Sequence, residues 1–185
     1  MDHTEEKIMN SQNPVILCVD DEAVNLSLLE AILDRNGYQV ICVSNGIDAL
    51  LRIKGQQIDL VIMDVTMPGM DGLEVCRKIK EDQKLRSIPV IIVTSLSAKQ
   101  DRIRGIEAGA EEFVSKPFDP TDVLARIKLL LKVKQLNEDL NGAEKALRKS
   151  HDELECKVHE RTTELAQANK ILETEVLRLK QQAGV

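Results

Sequence analysis

Tryptophan is absent from this 185-residue chain, tyrosine occurs once and phenylalanine twice. So few flat rings leave almost no platforms on which single-stranded nucleic acid could stack. A net charge of −6 also opposes a phosphate backbone, so nucleic acid is not an expected partner. No apolar run approaches the ~20 residues that cross a bilayer, and no membrane association is expected. The opening MDHTEEKIMNSQNP is polar and acidic, unlike a signal peptide. The four cysteines, Cys18, Cys42, Cys76 and Cys156, have neither metal-binding nor disulfide-framework spacing. They read as small apolar side chains in a reducing compartment, and a cytoplasmic location is expected. No Walker-type loop is present to cradle a nucleotide. The three histidines, His3, His151 and His159, all fall in the tails of the chain and offer no base to a central site.

What is present is unevenly spread. Residues 1–120 carry 13 basic and 20 acidic side chains, a net of −7, whereas residues 121–185 carry 12 and 11. All five prolines, all three aromatics and seven of the nine glycines lie in the first block. A mixed domain needs turns and a varied core, whereas a long helix needs neither. The composition therefore changes character near Pro120–Thr121. Residues 1–13 read as a disordered tail, 14–132 as one domain, 133–181 as a helical extension and 182–185 as a second tail.

Within the first block, short runs rich in Val and Ile alternate with segments of 3.6-residue period. The runs are Val15–Val19, Gln39–Val43, Leu60–Met63, Val90–Val93 and Phe113–Ser115. The helical segments are Ala23–Arg35, Ile47–Lys54, Leu73–Lys80, Lys99–Ala108 and Thr121–Leu131. Five strands each followed by a helix form an α/β pattern, (βα)5. Right-handed crossovers then place helices on both faces of a parallel sheet. Strand 2, which starts at polar Gln39, reads as peripheral.

Ligands of an open parallel sheet bind outside the carboxyl ends of its strands. There the sequence places Asp20-Asp21 after strand 1, Asp64 after strand 3, Thr94-Ser95 after strand 4 and Lys116-Pro117 after strand 5. Three carboxylates converging on one edge need a cation between them, and hard oxygen donors suit Mg2+. A carboxylate beside Mg2+ can attack phosphorus. The lysine and the threonine hydroxyl would then stabilise charge on the transferring phosphoryl oxygens.

These residues, within Val19-Asp20-Asp21-Glu22, Met63-Asp64-Val65-Thr66-Met67-Pro68-Gly69-Met70-Asp71-Gly72, Val93-Thr94-Ser95 and Phe113-Val114-Ser115-Lys116-Pro117-Phe118, resemble the receiver domains of two-component response regulators over residues 14–132. The resemblance implies a flavodoxin-like, doubly wound parallel sheet of order 2-1-3-4-5. It implies that Asp64 accepts a phosphoryl group from the phosphohistidine of a sensor histidine kinase or phosphotransfer protein. It implies Mg2+ on Asp21, Asp64 and the Thr66 backbone carbonyl, with Asp20 acting mainly through water. Thr94 and Lys116 would hold phosphoryl oxygens, and Lys116-Pro117 would be a cis peptide. Thr66 and Leu96 occupy two positions that vary in the family and influence how long the acyl phosphate lasts. Neither can readily orient an attacking water, so slow self-dephosphorylation is expected. The switch is expected to run through Thr94 and Phe113. A turnover phosphatase of the haloacid dehalogenase type would need an Asp where Thr66 stands, so the protein is not read as an enzyme beyond its own phosphorylation chemistry.

From Thr121 to about Lys180 the chain has no proline and one glycine, Gly142. An apolar stripe runs Val133, Leu136, Leu140, Ala143, Leu147, then Leu154, Val158, Leu165, Ala168, Leu172 and Leu179. Between Leu147 and Val158 the repeat is eleven residues rather than seven, a stutter in a coiled coil. Ser150, Arg161 and Glu175 interrupt the seam. A single helix cannot bury such a stripe alone, and the expectation is a parallel homodimer through a coiled coil continuous with helix 5. The run Val158–Lys170 resembles the signalling helices that join receivers to kinase or diguanylate cyclase modules. Two alternatives stay open: the N-terminal part of a larger protein with such an output, or an adaptor that docks a partner. His151 in Ser150-His151-Asp152-Glu153 lacks the proline of a kinase phosphohistidine box and reads as an exposed helix residue.

Overall fold

The computed structural model describes residues 13–95 and 99–182. Of the expected tails 1–13 and 182–185, residues 1–12 and 183–185 lie outside the described residues, as does Leu96, and Gln182 ends the last helix instead. The chain divides into two compact units, Met1–Gln135 and Leu136–Val185.

The first unit is built on β1 (Val15–Val19), β2 (Gln39–Val43), β3 (Leu60–Asp64), β4 (Val90–Thr94) and β5 (Glu112–Ser115). All pairs are parallel and the order is β2-β1-β3-β4-β5. This is the doubly wound, flavodoxin-like sheet implied by the motifs. The helices are α1 (Ala23–Asp34), α2 (Gly46–Gly55), α3 (Gly72–Glu81), α4 (Lys99–Glu107) and α5 (Pro120–Gln182).

Side chains of a strand alternate between faces, and each face here has its own core. Leu17, Val19, Val61, Met63, Val90 and Ile92 pack with Ala49 and Ile53 of α2 and with Leu73, Val75, Cys76 and Ile79 of α3. Their neighbours Ile16, Cys18, Leu60, Ile62, Ile91 and Val93 pack with Leu29 and Leu33 of α1 and with Val123, Ile127 and Leu130 of α5. Every residue of β3 and β4 is buried, whereas β2 begins exposed and is only partly covered. That difference is the physical meaning of an edge strand with a polar start.

Local chemistry fixes the helix ends that aim the strands. The Asn45 side chain accepts from the Asp48 amide at 2.8 Å to start α2. Asp71 accepts from the Glu74 amide at 2.7 Å to start α3. Asp119 accepts from the Thr121 amide at 2.7 Å at the head of α5. The chain leaves α1 through Gly37 at φ +81°, a conformation that only glycine adopts without a Cβ penalty. Asp59 binds both the Val15 amide (2.9 Å) and the Lys134 ammonium (2.6 Å), so α5 is tied to the bottom of β1 within the first unit.

Two strands run one residue past their expected ends, so Asp64 and Thr94 are the last members of β3 and β4 rather than loop residues. The ladder accounts for this, because Asp64 is paired with Val93 and Thr94 with Ser115. Being held by strand pairing, both side chains have a fixed departure point from the sheet.

The second unit is the remainder of α5. Its apolar stripe faces solvent in the single chain: Leu136, Leu140, Leu147, Leu154, Val158, Leu165, Leu172 and Leu179 are each 56–72 % exposed. Two of the polar seam residues are satisfied on their own helix, Arg161 by Glu164 at 3.1 Å and Glu175 by Arg178 at 4.0 Å.

Candidate functional site

At the carboxyl edge of the sheet, β1 hands over to Asp20 and Asp21, and β3 ends in Asp64. One carboxylate oxygen from each of the three lies within 4.8 Å of the others. Asp20 and Asp64 are buried, at 2 % and 6 % exposure, and Asp21 is open to solvent. Two buried carboxylates this close repel unless a cation intervenes. Lys116 is that cation among the described residues: its Nζ sits 2.8 Å from Asp20 Oδ2 and 2.9 Å from Asp64 Oδ1.

The backbone delivers the lysine from the far strand. The Lys116 amide donates to the Thr94 carbonyl at 2.8 Å, and the Lys116-Pro117 bond is cis. Thr94 is itself buried, and the ladder pairs it with Ser115 of β5, one residue beyond the Val93 that pairs with Asp64. The Thr66 amide donates to Asp64 Oδ2 at 3.1 Å, which orients the carboxylate, and the Thr66 side chain is exposed. The edge thus gathers Asp20, Asp21, Asp64, Thr66, Thr94 and Lys116 from four strand ends.

Electrostatics follow from this packing. Burial pushes the Asp64 carboxyl above the usual carboxylate value, against the opposing pull of Lys116 and the Thr66 amide. Burial pulls the Lys116 ammonium down, and the hydrogen bonds and charges of Asp20 and Asp64 more than offset it, leaving it raised. The lysine therefore stays charged, as a buried counter-ion must.

Three contributors were not legible as site residues. Asn25, on the first turns of α1, donates its side-chain amide to both Asp20 oxygens at 3.0 and 3.1 Å. With the Glu22 amide at 2.9 Å, Asp20 is the most fully engaged carboxylate of the three. Gly72 opens α3 so close to β3 that a Cβ there would meet the Asp64 carbonyl oxygen at 2.0 Å. Gly105 of α4 lies beneath the Phe113 ring, where a Cβ would meet ring carbon Cε1 at 2.2 Å. A glycine in a helical pattern carries only a general hint of close approach; which neighbour approaches is a long-range fact.

Phe113 lies on β5 opposite Ile92, and Thr94 lies opposite Ser115. With a two-residue period, Thr94 and Phe113 point to the same face of adjacent strands. The ring is half-buried against the α3 side of the sheet core. His151 and His159 belong to the second unit, where both are exposed.

Residues 16–128 match the family model of the response regulator receiver domain. The chain belongs to that family. It is 42% identical over 129 residues to the response regulator PleD of Caulobacter vibrioides, covering 70% of this chain and 28% of PleD. It is 40% identical over 134 residues to the transcriptional regulatory protein GltR of Pseudomonas aeruginosa, covering 72% of this chain and 55% of GltR. The chain thus spans between about a quarter and just over half of these relatives. Among solved structures, the signal receiver domain of a histidine kinase from Syntrophus aciditrophicus superposes with a TM-score of 0.62 at 39% identity, covering 64% of this chain and 90% of that one. The beryllofluoride-activated DrrB receiver domain gives 0.59 at 34% identity, covering 65% of this chain and 99% of DrrB's. Receiver domains take part in two-component signalling with histidine kinases or phosphotransfer proteins, and they bind Mg2+ at an acidic pocket. In this receiver, Asp20, Asp21 and Asp64 form that pocket.

Proposed function

We propose that this receiver accepts a phosphoryl group on Asp64 from a phosphohistidine of a kinase or phosphotransfer protein, and passes the change through α5 into a dimeric coiled coil. The observation that carries the first half is the Lys116 ammonium lying 2.8 and 2.9 Å from two buried carboxylates. In the transfer, an Asp64 oxygen forms a bond to phosphorus as the bond from phosphorus to the imidazole nitrogen breaks. The product is an acyl phosphate, and the imidazole leaves with the electron pair. The Thr66 amide orients the Asp64 carboxylate, and Lys116, 2.9 Å from it, would stabilise phosphoryl charge as it grows.

Mg2+ fits the donor set: the carboxylate oxygens are hard, close together, and include the solvent-facing Asp21. When bound, the ion would screen carboxylates and phosphoryl oxygens from one another. Asp21, Asp64 and the Thr66 carbonyl would hold it. Asp20, whose oxygens already receive Asn25, Glu22 and Lys116, would reach it through water. Neither Thr66 nor Leu96 is a carboxamide or an acid that would readily orient an attacking water, so self-dephosphorylation is slow. The protein is read as a switch rather than a turnover enzyme.

After transfer, the Thr94 hydroxyl moves toward a phosphoryl oxygen and the Phe113 ring turns into the space it leaves. This changes the surface of α4, β5 and α5, a local charge event that biases a packing element with two arrangements. The output is supported by the exposed stripe on α5, which a second copy in parallel register would cover.

The test is phosphoryl transfer from a small acyl phosphate donor in Mg2+, read by intact mass, with light-scattering mass in beryllofluoride. A single adduct that disappears in Asp64→Ala is the expected result. An adduct of equal yield in Asp64→Ala would overturn the assignment of the acceptor. A monomer at every concentration, with and without beryllofluoride, would overturn the coiled-coil output.

A further inference from the structure

Cys18 of β1 and Cys42 of β2 are direct cross-strand neighbours, paired at their Cα positions in a parallel ladder. They point to the same face, where Cys18 belongs to the core packed under α1 and Cys42 borders it. Adjacent strands are spaced ~4.8 Å, inside the roughly 4.4–6.8 Å over which two Cα atoms can carry a disulfide. Both sulfurs are free thiols, and they share a hydrogen bond. Cys18 is fully buried, whereas Cys42 is half-buried and lines an open cleft of about 540 Å³ with Leu26, Leu51 and Arg52.

We propose that Cys18 and Cys42 form a redox-modifiable dithiol, in which a peroxide entering the cleft oxidises Cys42 and Cys18 then closes a disulfide onto it. In the first step the Cys42 sulfur attacks one peroxide oxygen. The O–O bond breaks, the alkoxide or hydroxide leaves and takes up the Cys42 thiol proton to become an alcohol or water, and Cys42 becomes a sulfenic acid. In the second, the Cys18 sulfur forms a bond to the Cys42 sulfur and displaces its oxygen as water, which takes up the thiol proton. Two electrons pass from the pair of sulfurs to the peroxide, and a thiol reductant reverses the change.

The accessible partner has the right character for the first step. The hydrogen bond from Cys18 lowers the Cys42 thiol below its ordinary value, against partial burial and the Glu30 charge. No large backbone motion is needed for the second, because the two Cα atoms are already direct cross-strand partners. The other thiols lack a partner thiol of this kind. Cys76 is buried, its Sγ donating to the Ala108 carbonyl at 3.3 Å, and Cys156 is exposed on the second unit. The bond would form in the strand that carries Asp20 two residues further on, so the modification sits within the frame of the acidic pocket.

The experiment uses the full chain with Cys156→Ser, which removes the exposed thiol and its intermolecular bridges. After hydrogen peroxide and blocking of free thiols, a non-reducing tryptic map is read. Trypsin cuts after Lys7, Arg35 and Arg52, so the two cysteines fall on separate peptides, residues 8–35 and 36–52. The expected result is a linked pair of these peptides that dithiothreitol separates, forming about tenfold faster than any oxidation of Cys76. Adding Cys42→Ser should leave Cys18 reduced. Persistent free Cys18 beside an oxidised Cys42 would overturn the proposal. So would a linked peptide that appears only when the protein is oxidised in denaturant.

Discussion

At the scale of single residues, the acidic pocket is a balance of buried charges with Lys116 at its centre. Removing one partner of a buried ion pair leaves the other uncompensated, at a cost of ~3–5 kcal/mol. Lys116→Met strands Asp20 and Asp64 against each other, so its Tm without divalent cation should fall well below wild type. Mg2+ should then raise the Tm of the variant more than that of wild type, because the ion supplies the missing positive charge. Circular dichroism melts with and without Mg2+ check this, and equal Mg2+ shifts in both proteins would contradict it. Phosphoryl acceptance should stay low in the variant even with Mg2+. A second residue predicts a pH effect elsewhere. Burial pushes the Cys76 thiol from an ordinary 9.0 to about 11, and the thiol is a donor to Ala108. A raised value means that the folded state holds the proton more tightly than the unfolded one. The associated stability is complete below pH 9 and is lost as pH climbs through about 11. Tm measured from pH 8 to 11.5 should therefore fall less steeply in Cys76→Ala than in wild type, from a lower starting point.

At the scale of elements, two glycines show how a helix is allowed against its neighbour. Gly72 lets α3 begin at van der Waals contact with the Asp64 carbonyl, and the opposing atom there is backbone, which cannot rotate away. Gly72→Ala should push the start of α3 outward, cost ~1–3 kcal/mol as overpacking does, and slow phosphorylation by disturbing the loop that carries Thr66. At Gly105 the opposing atoms belong to the Phe113 ring, a side chain that can move. Gly105→Ala should therefore cost less stability and instead displace the ring, altering its response to beryllofluoride. Adding Phe113→Leu should recover stability in the alanine background but not in wild type, a coupling measurable in a double-mutant cycle. The strands and the covering of both sheet faces could be read from the alternation of Val and Ile runs with helical periodicity, whereas the strand order came with the family resemblance. So could the strand-end positions of Asp20, Asp64, Thr94 and Lys116, because chain polarity alone puts them on one edge. Asn25, Gly72 and Gly105 could not, since each acts through a neighbour that only the packing selects. Likewise the extension of β3 and β4 by one residue depends on partner strands, not on the propensity of Asp64 or Thr94.

At the scale of the whole molecule, the stripe on α5 asks for a partner. Eight large apolar side chains of the stripe, Leu136, Leu140, Leu147, Leu154, Val158, Leu165, Leu172 and Leu179, are more than half exposed in one chain. Each contributes roughly 1.5–3 kcal/mol when buried, enough in sum to offset the ~4–15 kcal/mol that association costs. A partner of opposite charge is not indicated, because residues 121–185 carry 12 basic and 11 acidic side chains. A second copy matches the stripe by construction, and that copy is proposed to lie parallel and in register along the 3- and 4-residue spacing. The eleven-residue step from Leu147 to Val158 loosens the supercoil in mid-helix, so the seam has a segment where a small rotation exchanges one layer for another. Ser150 falls in this segment. Replacing it by Leu should deepen the dimer, while Leu140→Glu with Leu165→Glu should abolish it. Light scattering should return a mass near twice the 20.7 kDa chain for wild type and Ser150→Leu, and the single-chain mass for the double glutamate. Phosphorylation of Asp64 should survive in the double glutamate, because the pocket lies wholly within residues 20–116 of the first unit. If the double glutamate still formed dimers, the stripe would not be the interface, and pairing through α4, β5 and α5 of the receiver would take its place.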